Sequence, residues 1–404
     1  MPHSYRSNSS FKPKTSSRSR FGGGFSSNNR RSQRRTGQYI DPARYVSAAK
    51  IVEIEEYVPE HQFRDFDVAP LIKNNLANKG YITPTPIQDQ TIPVALLGKD
   101  VIGVAHTGTG KTAAFALPVL NKLISQPGSK ALIVAPTREL AQQIEDELRS
   151  IAKGSGLSGV LLIGGVPIGP QLRELRHNPR IVIGTPGRIK DHLERGTLRL
   201  SSFDMVVLDE VDRMLDMGFI NDVRTILSKL SPNRQSFFFS ATLDAKVSSL
   251  IETFANDPLL ISLKTTETSD NINQDVVRFN SANEKMEKLH DILLSQEVKA
   301  IVFAETQRSV ERLSKDLIER GFMADAIHGG KSQGQRQRAL NRFKSNHIKV
   351  LVATDVAARG IDVIDITHVI NFAPPQSYED YIHRIGRAGR AGRTGQALTF
   401  VPHN

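Results

Sequence analysis

The feature that most constrains this 404-residue chain is a repeated alternation between short apolar runs and segments of helix length. The first series of runs comprises VIGVA (101–105), ALIVA (131–135), VLLIG (160–164), IVIG (181–184), MVVL (205–208) and SFFFS (236–240). Because these runs are continuously apolar rather than alternating, they are typical of strands that are covered on both faces. The sequence therefore predicts an α/β fold with a mainly parallel sheet flanked by helices.

The alternation stops at the polar stretch LKTTETSDNINQ (263–274) and then resumes. The second series of runs comprises VVRF (276–279), AIVFA (300–304), KVLVA (349–353), HVINF (368–372) and ALTFV (397–401). Polar stretches between periodic segments indicate a loop. We therefore predict two α/β domains, at 63–263 and 275–404, joined by a linker at 264–274 and preceded by an extension at 41–62.

Residues 1–40 form a basic tail that carries nine of the 53 Lys and Arg residues and lacks Asp and Glu. The formal net charge of +11 thus falls to +2 for residues 41–404. The tail is rich in Ser, Gly and Arg with scattered aromatics, a composition that predicts disorder. Arg beside aromatic residues favours contact with single-stranded nucleic acid. A solubilising tail and an organelle transit peptide are the alternatives.

Composition also limits the cell compartment. The chain has no cysteine, which excludes disulfides and thiolate metal sites and fits a reducing compartment. Its apolar runs are shorter than a membrane span, and its start lacks the apolar core of a secretory signal. We therefore expect a soluble, monomeric, cytoplasmic protein without membrane contact.

The stretch AHTGTGKT (105–112) follows an apolar run and opens a helix-length segment. Gly108 and Gly110 allow the backbone to approach an anion, and a helix N-terminus presents free N–H groups. Lys111 can reach the β- and γ-phosphates of a nucleotide, and the Thr112 hydroxyl can bind Mg²⁺. The strict P-loop pattern has Gly where this chain has Ala105.

The stretch DEVD (209–212) places carboxylates directly after the apolar run MVVL. Carboxylates are costly to bury unless a cation or donor meets them. In P-loop nucleotide hydrolases a strand-end Asp helps to hold the Mg²⁺ that bridges the phosphates. Asp209 fits that role, and Glu210 can orient or deprotonate the attacking water. The alternative is that these acids begin a solvated helix.

Taken together, the motifs resemble those of the DEAD-box ATP-dependent RNA helicases of superfamily 2, from Phe63 to Val401. In the family's order they are GYITPTPIQ (80–88), AHTGTGKT (105–112), PTREL (136–140), GG (164–165), TPGR (185–188), DEVD (209–212), SAT (240–242), IVF (301–303), QGQR (333–336), TDVAARGID (354–362) and HRIGRAGR (383–390). The resemblance implies two RecA-like domains, an ATP-binding one and a C-terminal one, with ATP and Mg²⁺ bound between them.

For the nucleotide, the resemblance implies that Gln88 reads adenine and that Phe63 stacks on the base, although a core role for Phe63 is the alternative. Asp362 would contact the ribose. The phosphate-binding stretch consists of Ala105, His106, Thr107, Gly108, Thr109, Gly110, Lys111 and Thr112, with Thr112 and Asp209 holding the metal.

Arg387 and Arg390 lie three residues apart, so on a helical turn they would point the same way. The resemblance implies that they are arginine fingers, and that His383 links the hydrolysis site to its neighbours. It also implies that Ser240 and Thr242 couple hydrolysis to strand separation by bonding Asp212.

For RNA, Thr137 and Thr185 are expected near helix N-caps, with Arg138 and Arg188 placed for backbone phosphates. The residues that match RNA-binding positions of the family are Pro136, Thr137, Arg138, Gly164, Gly165, Thr185, Arg188, Gln333, Arg336 and Thr354. Contacts to sugar and phosphate imply little sequence preference.

The sequence departs from the family pattern at Val211, where Ala is usual, and at Ala388, where Thr is frequent. It also stops at TFVPHN, where the family usually continues with another helix, so we expect the second domain to be trimmed or the chain to be a fragment. Two other activities use the same motifs: an ATP-gated RNA clamp without productive unwinding, and a related DNA helicase.

Removing residues 1–40 is expected to weaken RNA binding and to flatten its dependence on salt, because fewer phosphate counterions would be released. Fluorescence anisotropy with a labelled single-stranded RNA over a salt series measures both quantities. Unchanged affinity would make the tail a solubiliser.

Overall fold

The computed structural model of this chain describes residues 40–49, 57–106, 108–263, 271–295, 298–358, 361, 363, 365–389 and 393–403. Nearly all of the basic tail lies outside these ranges, so its disorder stays a prediction. Within them the chain forms two sheets, each with parallel pairing between its strands. The predicted fold class, two α/β domains in tandem, is confirmed.

The first sheet contains β1 (Val101–Val104), β2 (Ala131–Val134), β3 (Gly159–Leu162), β4 (Ile181–Gly184), β5 (Met205–Leu208), β6 (Gln235–Ser240) and β7 (Leu259–Ser262). Their order across the sheet is β3-β4-β2-β5-β6-β1-β7. This order makes β5, β6 and β1 neighbours, so the chain segments that leave their carboxyl ends emerge side by side.

Helices cover both faces of this sheet. They are α1 (Pro70–Asn78), α2 (Pro86–Leu96), α3 (Lys111–Ser125), α4 (Arg138–Ile151), α5 (Ile168–Arg176), α6 (Pro186–Glu194), α7 (Val211–Asp216), α8 (Ile220–Ser228) and α9 (Ala245–Phe254). Successive strand residues enter separate cores: Ile133 and Val207 pack on one face, and Leu132 and Val206 pack on the other. Burial on both faces explains why the strands read as continuous apolar runs.

The second sheet contains β8 (Ile272–Phe279), β9 (Ala300–Phe303), β10 (Ala324–Ile327), β11 (Val350–Ala353), β12 (His368–Asn371) and β13 (Gly395–Pro402). Their order is β10-β11-β9-β12-β13-β8. The flanking helices are α10 (Ala282–Leu293), α11 (Gln307–Glu319), α12 (Gln333–Lys344), α13 (Asp355–Ala358) and α14 (Tyr378–Ile385). Two buried clusters lie on its faces, as in the first domain.

The structure corrects the predicted linker at 264–274. Strand β8 begins at Ile272, so residues 272–274 belong to the second sheet. Ile272 and Gln274 are buried and Asn273 between them is exposed, and this alternation is hidden in a mainly polar sequence. The expected linker residues 264–270 lie outside the described ranges.

The N-terminal extension divides between the two domains. Residues 40–49 contain a short 3-10 helix (Pro42–Tyr45) and pack against the second sheet, where Ser47 pairs with Gln274. By contrast, Tyr57, Glu60 and His61 all bond the carboxylate of Asp89 in the first domain. Among the helices that the structure describes, none is long and apolar enough to span a bilayer.

Candidate nucleotide and nucleic-acid site

The site lies where neighbouring parallel strands of the first sheet end. Strand β1 leads into the Gly-rich turn, β5 leads into Asp209, and β6 ends at Ser240. Carboxyl ends of parallel strands share one edge of the sheet, and ligands of open α/β sheets bind at that edge. The sequence signals at 105–112, 209–212 and 240–242 are thereby brought together.

The Gly-rich turn has the conformation of a phosphate-binding loop. Gly108 and Gly110 adopt φ values of 86° and 91°, which favour glycine. The ammonium of Lys111, a 6% exposed side chain, donates to the Ala105 carbonyl at 2.8 Å. Ala105 itself is fully buried, so its methyl group fills core space at the position where the strict pattern has Gly. Thr112 follows as the second residue of α3, and Thr107 lies outside the described residues.

Gln88 joins the predicted base-binding region to this turn. Its Oε1 accepts from the Thr85 N–H at 2.9 Å, and its Nε2 donates to the Gly110 carbonyl at 2.9 Å. Thr85 adds a hydroxyl bond to the Thr109 carbonyl, and the Thr109 hydroxyl donates to the His106 carbonyl at 2.8 Å. These two bonds use one N–H hydrogen and one oxygen lone pair of the carboxamide. Recognition of adenine would use the other N–H hydrogen and the other lone pair.

Phe63 lies in the core of the first domain. It is 3% exposed and packs edge-on against Phe66 and Tyr81, with ring centroids 5.8 and 5.1 Å away. This placement corresponds to the core role that the sequence left open. Little of the Phe63 ring is accessible in this arrangement. The stacking of Phe63 on a base is not tested by the structure and stays a prediction.

Asp209 is a buried carboxyl group with an unusual proton affinity. It is 2% exposed. Burial raises the pKa of Asp209 to about 6, and the charges of Glu210 and Asp212 add to the rise against the opposing charge of Lys111. The positive charge near Asp209 therefore does not fully offset its burial and the neighbouring carboxylates, as expected for a site that binds a cation.

Glu210 behaves differently from its neighbour. Burial would raise its pKa, but the charges of Arg213 and Arg387, with smaller effects from Lys111 and His383, hold the pKa of Glu210 below its ordinary value. The Arg213 Nε lies 3.5 Å from Glu210 Oε2. Glu210 also has a left-handed backbone, with φ 54°, an uncommon conformation that concentrates at functional sites. A carboxylate that stays ionised suits orientation of a water molecule better than strong proton abstraction.

The second domain contributes a histidine and an arginine to the same site. His383 Nδ1 lies 3.2 Å from Arg213 Nη2, a contact that joins α14 to α7 across the two sheets. Arg387 is 3% exposed, and its Nη1 donates to the Ile361 carbonyl at 3.0 Å. Arg387 lines a small pocket together with Arg213 of the first domain, and its charge lowers the pKa of Glu210. Arg390 and Asp362 lie outside the described residues, so their predicted roles stay predictions.

A cleft of about 730 Å³ lies between the two sheets at this point. Its lining comes from both domains: His106, Lys111, Glu210, Asp212, Arg213, Ala241, Thr242, Glu379, Ile382, His383 and Gly386. The predicted phosphate-binding lysine and the predicted catalytic acid therefore share one cavity with the helix that precedes Arg387.

Asp212 connects the acidic motif to the end of β6. Its Oδ2 accepts from the N–H groups of Ala241 and Thr242 at 2.9 and 3.0 Å. Its own N–H donates to the Ser240 hydroxyl at 3.3 Å. The predicted contact between DEVD and SAT is present, and its coupling role stays a prediction.

The donor set fits a magnesium ion. Mg²⁺ prefers carboxylate and hydroxyl oxygens together with phosphate oxygens. Asp209 and Glu210 are both buried, and Glu210 Oε2 makes no hydrogen bond within the described part of the chain. Thr112 lies at the start of α3, beside the turn that would hold the phosphates.

A second cleft, of about 980 Å³, contains most of the predicted RNA-binding residues. Its lining is Pro136, Thr137, Arg138, Glu139, Gly164, Thr185, Gly187, Arg188, Asp191, Met217, Phe219, Gly329, Arg336 and Val356. Thr137 and Thr185 are the N-caps of α4 and α6, as predicted, so two helix N-termini point into the cleft.

Positive charges converge in this cleft. Burial, then the charge of Arg336 and that of Arg188, lower the pKa of Arg138. Gly164 and Gly165 allow the close approach of Arg138, because a side chain at Gly165 would collide with its guanidinium. Arg188 is held by Gln171 Oε1 at 3.1 Å. Convergent guanidinium groups at helix N-termini form a site for backbone phosphates.

Arg336 joins this cleft from the second domain. Its Nε lies 2.8 Å from Glu139 Oε1, and both side chains are buried. Gln333 Nε2 approaches the same oxygen at 3.4 Å. Thr354 lies at the start of α13, where its carbonyl accepts from Ala357 and Ala358, and it does not line this cleft.

Two residues of the site were not predicted from the sequence. Arg213 sits three residues after Glu210 on α7, a spacing that brings the two side chains together. Glu139 lies inside the motif PTREL, next to Arg138. An acidic residue beside an arginine in a cleft that binds phosphates indicates an ion pair within the protein. Their partners in the second domain, His383 and Arg336, are too distant in sequence to be inferred.

Family models match both domains. The DEAD/DEAH box helicase model covers residues 85–250, and the helicase conserved C-terminal domain model covers residues 284–392. The DEAD-box ATP-dependent RNA helicase CshA of Bacillus licheniformis is 46% identical over 342 residues, which is 84% of this chain and 70% of the relative.

Solved structures match most of the chain. Mss116p bound to single-stranded RNA and AMP-PNP has a TM-score of 0.76 at 31% identity, over 88% of this chain and 77% of the other. Saccharomyces cerevisiae Dbp5 bound to RNA and ADP BeF3 has a TM-score of 0.74 at 28% identity, over 85% and 90%.

The substitution Asp209→Asn is expected to stabilise the nucleotide-free protein at pH 8 by about 1–3 kcal/mol, because the amide carries no buried charge. The folded pKa of about 6 lies above the ordinary value, so wild-type stability is lost as the pH rises through this range. The difference in free energy of unfolding between Asp209→Asn and wild type should therefore shrink below pH 6 and vanish near pH 4. Urea unfolding in the absence of magnesium, repeated over this pH range, measures this difference.

The matched control is Asp257→Asn, which also replaces one carboxylate by an amide but at a side chain that is 91% exposed, so its effect on the free energy of unfolding should be small. Equal stability of wild type and Asp209→Asn at pH 8 would show that the charge of Asp209 is already compensated.

Proposed function

We propose a catalytic cycle for this chain, which belongs to the DEAD-box family of ATP-dependent RNA helicases. ATP binds in the cleft that contains Lys111 and Glu210, and RNA binds in the cleft that contains Arg138 and Arg336. Both clefts have walls from both domains, so each ligand favours the closed arrangement. Closure and hydrolysis together separate short RNA duplexes locally.

The observation that carries this proposal is the position of Glu210 in a cleft with walls from both domains. Lys111 and Arg213 line this cleft from the first domain and His383 lines it from the second, where the charge of Arg387 also acts on Glu210. Such a convergence places positive charge where a γ-phosphate would develop negative charge during its transfer. Separation of the domains would remove half of these groups, which makes hydrolysis dependent on closure.

In the hydrolysis step, Glu210 orients a water molecule toward the γ-phosphorus. A bond forms between the water oxygen and phosphorus, the bond from phosphorus to the β,γ-bridging oxygen breaks, and a water proton passes to an oxygen of the transferred group, which yields ADP and inorganic phosphate. Lys111 exchanges its bond to the Ala105 carbonyl for phosphate oxygens, and Arg387 neutralises the charge that builds on the transferred group. Mg²⁺, when held by Asp209 and Thr112, would supply further charge neutralisation at the phosphates.

RNA binding is proposed to use the sugar-phosphate backbone. The helix N-termini of α4 and α6 and the guanidinium groups of Arg138 and Arg188 favour phosphates over base edges. The relatives Mss116p and Dbp5 were solved with RNA bound, at TM-scores of 0.76 and 0.74 to this chain. We expect little sequence preference, and local unwinding because one bent strand fits the closed cleft.

Asp212 is proposed to carry the coupling between the two clefts. It bonds the backbone of Ala241 and Thr242 and lies two residues after Glu210. A shift of the acidic motif on product release is thereby transmitted to the end of β6. The lack of cysteine supports a reducing compartment, and we propose that the protein acts in the cytoplasm as a monomer.

The substitution Glu210→Gln is expected to reduce RNA-stimulated ATP hydrolysis by about 10²-fold or more, because the amide cannot orient the water as an anion does. Binding of ATP should be retained, since Lys111 is unchanged. Steady-state phosphate release and equilibrium binding of a labelled nucleotide measure the two quantities. Glu252→Gln, at an exposed position of α9, is the control. Hydrolysis at the wild-type rate in Glu210→Gln would exclude the assigned role.

The choice of nucleic acid is tested by adding single-stranded RNA or DNA of the same sequence to the ATPase reaction. We expect stimulation by RNA and little by DNA, together with displacement of a short RNA strand from a duplex. Equal stimulation by DNA would favour a DNA helicase, and stimulation without displacement would favour an ATP-gated clamp.

A further inference from the structure

Residues 40–49 precede the first domain in sequence but pack on the second, and we refer to them as the N-terminal strap. The strap lies along β8, the edge strand of the second sheet. The Ser47 N–H donates to the Gln274 carbonyl at 3.0 Å, and the Gln274 N–H donates to the Ser47 carbonyl at 2.7 Å. The Ala49 N–H donates to Asn273 Oδ1 at 2.8 Å. The strap thus covers backbone groups that an edge strand leaves unpaired.

The strap also inserts an aromatic side chain into the second domain. Tyr45 is 2% exposed and belongs to the buried cluster that contains Ile385 and Ala388. Its ring centroid lies 4.7 Å from that of Tyr381, a fully buried residue of α14. Next to it, the Arg44 guanidinium lies 3.8 Å from the centre of the Tyr378 ring. Buried aromatic pairs and cation–π contacts of this kind are directional, so they fix orientation as well as distance.

Helix α14 has two faces with separate tasks. Tyr381 and Ile385, one turn apart, pack in the cluster with Tyr45. Glu379 and His383, also one turn apart, line the nucleotide cleft. Arg387 follows directly after the helix and donates to the Ile361 carbonyl. A shift of the helix on its buried face would therefore displace the groups on its cleft face.

We propose that Tyr45 is a positioning residue for ATP hydrolysis: the strap holds α14 where His383 and Arg387 reach the acidic motif of the first domain. This inference rests on the role proposed for Arg387. The Tyr45 ring supports the helix from behind and touches neither nucleotide nor RNA. A displacement of a catalytic group by about 1 Å is enough to lower turnover substantially.

The test uses the full-length chain with Tyr45→Ala, Tyr45→Phe, Arg44→Ala and the control Val46→Ala, whose side chain is 53% exposed. Tyr45→Ala should lower the kcat of RNA-stimulated ATP hydrolysis by about tenfold. Its KM for ATP should stay within about twofold, because Lys111 and Gln88 belong to the first domain. Tyr45→Phe keeps the ring and should retain the wild-type kcat, as should Val46→Ala. Arg44→Ala should lower kcat by about two- to threefold.

A mutant cycle with His383→Ala/Arg387→Ala separates positioning from general destabilisation. If Tyr45 acts through these two residues, adding Tyr45→Ala should not lower the kcat of His383→Ala/Arg387→Ala any further. Multiplied losses, or an unchanged kcat in Tyr45→Ala, would overturn the inference. Should Tyr45→Ala not fold, the kcat of Arg44→Ala decides in the same way. A wild-type rate in Arg387→Ala would instead contradict the proposed function.

Discussion

The central interaction of the structure is the attraction between the carboxylates at the end of β5 and the cationic side chains that approach them from both domains. Asp209 and Glu210 are both buried, yet their pKa values move in opposite directions: burial dominates at Asp209, whereas the charges of Arg213 and Arg387 outweigh burial at Glu210. Buried charges are tolerated when they are paired. Part of that pairing comes from Arg387 in the second domain, so the ionisation of Glu210 depends on the arrangement of the two domains.

In the cleft that contains Arg138 and Arg336, the charges are arranged in the same way but with opposite signs. Three arginines converge there, and Glu139 provides the internal counter-charge through its 2.8 Å ion pair with Arg336. Under the proposed function, an RNA phosphate that enters the cleft would compete with Glu139 for the Arg336 guanidinium. Asp212 lines the cleft that contains Lys111 and Glu210, and its carboxylate fixes the backbone at the end of β6.

Local chemistry explains what could be predicted from the sequence. Runs such as 205–208 are apolar on both faces and identify central parallel strands. Gly108, Gly110 and Lys111 after such a run predicted the phosphate-binding turn, and both glycines adopt left-handed φ values. The prediction missed β7, whose edge position leaves most of it exposed, and β10, which contains the charged Asp325. Contacts between domains left no local signal: Arg213 and His383 are 170 residues apart, and nothing in either motif specifies the other.

The two hydrogen bonds of Gln88 have a consequence for how nucleotides are discriminated. One carboxamide fixes both the start of α2 and the left-handed turn that would cradle the phosphates. A purine with the wrong edge pattern, by drawing this side chain toward itself, would relax the turn at the same time. Binding of a nucleotide with the wrong base would then misalign its phosphates. Selectivity would appear in the rate of nucleotide hydrolysis as well as in the affinity for the nucleotide.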